Sequence, residues 1–142
     1  MTEEYPSWCS ETPVWRGGER DAATGLTRWN VEAGSLCLDV GPADWRPYGF
    51  LKLQARCTQK TGARLRLEAL GCEEELLGHV TFEADWQGKR DLLFPLSTFE
   101  PRSAADERWH LVHALRLTCE RPGLEPTTLI LGAIEVTSGL SC

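Results

Sequence analysis

The 142-residue sequence is short of the features that several large protein classes require. No stretch approaches the roughly 18 to 20 consecutive apolar residues that cross a bilayer. The opening MTEEYPSWCSETPVW has no basic start leading into an apolar core, so neither a membrane span nor a secretion signal is expected. If Met1 is the native start the chain belongs in the cytoplasm; if it is a module excised from a longer protein, it belongs to a secreted one. None of the six cysteines, Cys9, Cys37, Cys57, Cys72, Cys119 and Cys142, stands in a Cys-x-x-Cys pair, which removes the usual zinc and redox readings. A domain of this length needs no crosslinks, so thiols are expected. The histidines His79, His110 and His113 accompany no Ser or Cys in a nucleophile motif, and Glu73, Glu74 and Glu75 form an acidic run of the kind that faces solvent; catalysis is not expected. Positive charge is in deficit, 15 basic residues against 21 acidic, a net −6 that repels nucleic acid and anionic membranes unless a local patch overrides it.

What is present is alternation. In FLKLQARC the residues Leu51, Leu53, Ala55 and Cys57 share one face, with Lys52, Gln54 and Arg56 on the other. ARLRLEAL, HVTFEADW and HALRLTCE repeat the pattern, placing Leu65, Leu67, Val80, Phe82, Leu115, Leu117 and Cys119 inside. TRWNV, SLCLDV, RDLLFPL and TTLILGAIEV are less regular strands, and the only helix-compatible stretch, STFEPRSAADERW, is interrupted by Pro101. About eight short strands imply one all-β domain, an antiparallel sandwich or barrel, over residues 25–138, with an irregular lead-in at 1–24 and a tail at 139–142. Gln87 and Gly88 look like a tight hairpin turn, Lys89 to Phe94 returning as the partner of the strand before it.

Two groups could carry binding. Trp45 and Tyr48 sit in a Gly/Pro-rich loop, where an exposed ring suits the flat face of a sugar and a buried one would plug the end of the sandwich; both readings stand. By strand parity Trp86 and Trp109 are core plugs. The outward Lys52, Gln54, Arg56, Arg64 and Arg66 would form one locally basic face if their strands are neighbours, suited to carboxylate or sulfate groups, although Glu68, Glu83, Asp85 and Glu120 can pair with the cations.

The order of DWRPYGFLKLQ, with Asp44, Trp45 and Tyr48, then ADWQGKRDLLFP, with Asp85, Trp86 and Gly88, then Trp109 before a late strand, resembles the jelly-roll, galactose-binding-like accessory modules attached to heparinase II/III-like and other polysaccharide lyases. The likeness spans roughly residues 26 to 137, and departs at Lys89, where relatives carry a second aromatic. The resemblance implies a jelly-roll β-sandwich and a non-catalytic carbohydrate-binding module that binds a poly- or oligosaccharide beside the catalytic domain of a larger enzyme, through a concave sheet face or the loops at the sandwich edge. The alternative is a structural domain that packs on a catalytic domain and binds no sugar. Many such modules hold a structural calcium with an Asp of the last strand; Gly132 stands at that place here, and Glu19 and Asp21 remain as oxygen ligands, so no cofactor is expected. Nucleic acid and membranes are not expected as partners.

Overall fold

Among the described residues, the chain forms ten strands arranged as two antiparallel sheets packed face to face, most of them built on period-two patterning. The computed structural model describes residues 7–10, 13–46, 48–100 and 106–137, the side chains of 7–10, 106 and 107 excepted; the expected tail at 139–142, with Cys142, lies outside them. The strands are β1 (Ser7–Ser10), β2 (Glu19–Arg20), β3 (Thr27–Asn30), β4 (Leu36–Ala43), β5 (Phe50–Cys57), β6 (Arg64–Leu70), β7 (Leu76–Glu83), β8 (Gly88–Pro95), β9 (Val112–Arg121) and β10 (Thr128–Thr137). One sheet has the order β2-β3-β10-β5-β8, with β1 also on β10; the other is β4-β9-β6-β7. The eight strands expected from the sequence are β3 to β10, and within residues 1–24 the chain adds β1, β2 and the buried indole of Trp15.

From β3 onward the chain crosses between sheets at every step except β6 to β7. The expected hairpin at Gln87–Gly88 is therefore corrected: β7 pairs with β6 and β8 pairs with β5, and residues 84–87 are a crossover. Alternation persists through Ala84 and Trp86, both buried, so the local pattern alone could not separate a turn within a sheet from a corner between sheets. The indole nitrogen of Trp86 donates to the Gly88 carbonyl at 2.9 Å, and Gly88, at φ +95°, takes the left-handed conformation that the corner needs. Phe82 and Phe94, which a hairpin would have set on one sheet, face each other across the core with ring centroids 5.6 Å apart. Beyond β3, the connection that stays within a sheet is the Gly71–Glu75 turn between β6 and β7, where Glu73 and Glu74 have φ of 55° and 60°.

β10 looked irregular because it carries a bulge. Leu131 pairs with Ala55 and Ile134 with Leu53, so Gly132 and Ala133 together oppose Gln54, and the inward set switches from Leu129 and Leu131 to Ile134 and Val136. Between the sheets, Leu36, Leu51, Leu53, Leu65, Leu67, Leu115, Leu117 and Leu129 are fully buried. At one end Trp45 and Trp109 stack with centroids 6.2 Å apart, and Phe99 meets Trp109 edge-on at 5.2 Å.

Candidate functional site

The outer face of the four-stranded sheet is a ladder of alternating charge. Pairing carries a single row from Cys37 on β4 through Arg116 on β9 and Glu68 on β6 to His79 on β7, and His79 bridges to Glu100 in the segment after β8. The Glu68 side chain is 8% exposed and lies 2.7 Å from Arg116 Nε and 3.3 Å from Arg66 Nε. The hydrogen bond to Glu68 raises the Arg116 pKa further above its ordinary value, so this guanidinium stays charged. Next to this row, Arg64 lies 3.4 Å from Glu120 and donates to the Thr81 hydroxyl at 3.4 Å. Arg64, Arg66, His79, Thr81, Thr98 and Glu100 line a groove of about 400 Å³. His79 Nδ1 in its wall is buried and has no hydrogen-bond partner among the described residues. The groove thus offers cationic donors, hydroxyls and carboxylates in near balance, a lining that hydrogen-bonds hydroxyl groups without selecting a charged ligand.

The outer face of the six-stranded sheet is built differently. Lys52, Gln54 and Arg56 lie there on β5, and Lys52 is 3.8 Å from Asp91 of β8. Ile130 stands between Arg28 on β3 and Arg56 on β5, and Arg56 is opposite Lys89 on β8. At the bulge Gly132 lets the Gln54 side chain close in on the backbone: a Cβ there would come within 2.6 Å of Gln54 Oε1.

The single basic face expected from the sequence is thus divided. Lys52, Gln54 and Arg56 belong to the six-stranded sheet, Arg64 and Arg66 to the four-stranded one, because the chain changes sheet between β5 and β6. Trp45 is also corrected as an exposed sugar platform: at 1% exposure, stacked on Trp109, it is a core residue, and Tyr48 is half-buried against the same core. Asp44 turns back on its own loop, bonded by both the side chain and the backbone N–H of Arg46. Sequence reasoning missed His79, Thr81, Thr98 and Glu100 in the groove, and Arg28, Lys89 and Ile130 on the other face. The alternation of HVTFEADW puts His79 and Thr81 outward, but no face is assigned in the less regular strands that carry Arg28 and Lys89, and Thr98 and Glu100 depend on a tertiary bridge that no local pattern carries.

Of the conceivable oxygen ligands, Asp21 accepts the backbone N–H of Ala23 at 2.9 Å, closing its own turn, and no group of three or more His, Cys, Asp or Glu gathers among the described residues as a metal would require. No helix among them is long and apolar enough to cross a membrane.

These two sheets define a jelly-roll β-sandwich. No protein-family profile matches the chain, and no curated protein matches its sequence. Solved structures do share the fold. The chain is similar to the xylan-binding module CBM15 (TM-score 0.64, 8% identity, covering 98% of this chain and 100% of that one). It is likewise similar to the family 11 carbohydrate-binding module of Clostridium thermocellum in complex with a β-1,3-1,4-mixed-linked tetrasaccharide (TM-score 0.60, 10% identity, 97% and 91%). The agarase AgWH50C contains a similar region: the match has TM-score 0.63 at 10% identity and covers 93% of this chain but 23% of the enzyme.

Proposed function

We propose that the chain is a non-catalytic carbohydrate-binding module of a polysaccharide-degrading enzyme, and that glycan hydroxyls lie in the groove formed by β6, β7 and residues 98–100. The observation that carries this reading is the groove's lining of Arg64, Arg66, His79, Thr81, Thr98 and Glu100, rich in both donors and acceptors. The sugar-binding modules that share the fold support it, and the agarase, in which the like region is a minor part, supports a catalytic domain as partner. A lyase as that partner, drawn from the sequence resemblance, is the finer form of the same proposal. The acidic glycan, suggested by the outward cations, would meet the other face, where Arg56 stands.

No described tryptophan is exposed and no Trp, Tyr or Phe lines the groove, so binding there rests on hydrogen bonds. Three such bonds at about 1 to 1.5 kcal/mol each correspond to a Kd near the millimolar range. The same burial favours the second reading, a structural domain that packs on a catalytic neighbour and binds no sugar. Native gel electrophoresis through xylan or mixed-linkage β-glucan separates the two. Retardation that is lost in Arg64→Ala, with the circular dichroism spectrum unchanged, supports the groove; unaltered migration in both neutral glycans leaves the structural reading.

A further inference from the structure

The six-stranded sheet carries a second feature that the groove does not use. Across four strands, pairing sets Arg28, Ile130, Arg56 and Lys89 in one outward row, with Glu19 opposite Arg28 at its far end. Arg56 and Lys89 are one strand spacing apart, and Arg28 is two spacings from Arg56, roughly 10 Å. Like charges directly opposite on an antiparallel pair oppose each other, so the Arg56–Lys89 placement costs stability unless an anion joins it. The sheet does not supply that anion. Asp91 is engaged by Lys52 at 3.8 Å and Asp85 by Arg90 at 3.5 Å; among the described residues no carboxylate lies within ion-pair distance of Arg28, Arg56 or Lys89. The arginines and the lysine of the row are exposed, and their contrast with the paired cations of the other sheet is complete: Arg64, Arg66 and Arg116 each have a carboxylate.

The row also has a floor. Leu26, Gln54, Ile130 and Gly132 lie with Arg56 and Lys89 around a cavity of about 220 Å³ at the bulge. A second cavity of about 310 Å³ shares Leu26 and Ile130 and extends to Arg28 and Glu19. An apolar floor between cations matches a pyranose chain, whose rings present C–H faces while their acid groups project sideways. It does not match a nucleic acid: the row has no aromatic ring to stack a base, and three cations on a chain of net −6 cannot hold a duplex against the overall field.

We infer that this row binds the carboxylate or sulfate groups of an acidic polysaccharide that crosses the strands of the six-stranded sheet. The inference uses different residues from the groove and does not depend on it.

The full chain is tested by affinity electrophoresis against polygalacturonate, dextran sulfate, neutral dextran and double-stranded DNA, over roughly 50 to 200 mM salt. The variants are Arg56→Ala, Lys89→Ala, the double variant, Arg64→Ala to report on the groove, and Arg121→Ala, on the other sheet and outside the groove, as control, each checked by circular dichroism. The expected result is retention by polygalacturonate or dextran sulfate that weakens as salt rises. It should fall roughly tenfold with each cation removed and be unchanged in Arg121→Ala. Retention by only one of the two polyanions assigns carboxylate or sulfate. The inference is overturned if neither polyanion is retained at low salt, if the double variant binds as the parent does, or if DNA is held as tightly as the polysaccharides. Loss of neutral-glycan binding in Arg64→Ala bears on the groove alone.

Discussion

Truncating Trp45 to Ala distinguishes a core indole from a sugar platform. The ring is 1% exposed and stacks on Trp109 at 6.2 Å with an interplanar angle of 18°. The backbone N–H of Trp45 donates to the Trp109 carbonyl at 2.8 Å, a bond that survives truncation, so the loss is one of packing. Removing a fully buried Trp costs about 3 to 5 kcal/mol, a large share of the roughly 5 to 15 kcal/mol by which a domain is stable. For a chain of this length each kcal/mol shifts the midpoint by roughly 3 to 4 °C, so a thermal melt followed by circular dichroism should fall by about 10 to 20 °C. A surface indole behaves differently: its removal stays within about 0.5 kcal/mol, a shift of roughly 2 °C. A Trp45→Ala variant that melts within that range of the parent while losing glycan retention would refute the packing and restore the ring as a binding residue.

The Asp44 carboxyl, held by hydrogen bonds from the Arg46 side chain and backbone, should titrate at about 2 in a carbon-detected NMR titration, below its ordinary 3.8. Its folded pKa is depressed, so its contribution is present above the ordinary value and lost as pH falls through about 2. In Asp44→Asn the melting temperature should decline less than in the parent over that window; equal declines would contradict it. Burial pushes the Cys57 and Cys119 thiols up, while Cys72 is exposed, so among the described cysteines iodoacetamide should label Cys72 first and Cys57 only on unfolding, read by peptide mass spectrometry. Glu73 sits at φ 55° and ψ 36°, so Glu73→Gly should raise the urea midpoint, by about 1 kcal/mol in stability; an unchanged or lower midpoint would mean the turn differs.

Much of the fold is visible in the letters because one physical rule generates it. Where a strand has one dry face, its apolar residues recur every second position, and FLKLQARC, ARLRLEAL and HALRLTCE became β5, β6 and β9 with the expected residues inward. The same rule is silent about which strands pair. Alternation through Ala84 and Trp86 is identical for a hairpin and for a corner between sheets, which misplaced the partner of β8, and the unread crossover between β5 and β6 joined two basic faces that the fold separates. Residues 7–20 gave no period-two signal because β1 and β2 are four and two residues long, too short to repeat. At the site, Arg56, Arg64 and Arg66 were legible as outward cations. Whether each is neutralised was not, because Glu68, Glu120 and the lack of an ion-pairing carboxylate beside Lys89 among the described residues are consequences of register between strands far apart in sequence.

The most direct test of carbohydrate binding in the groove is amide chemical-shift mapping of the full chain titrated with a neutral xylo-oligosaccharide. The account predicts saturable shifts centred on Arg64, Arg66, His79, Thr81 and Glu100, with the six-stranded sheet unmoved. Shifts absent at millimolar sugar, or confined to the loop that carries Trp45 and Tyr48, would contradict it.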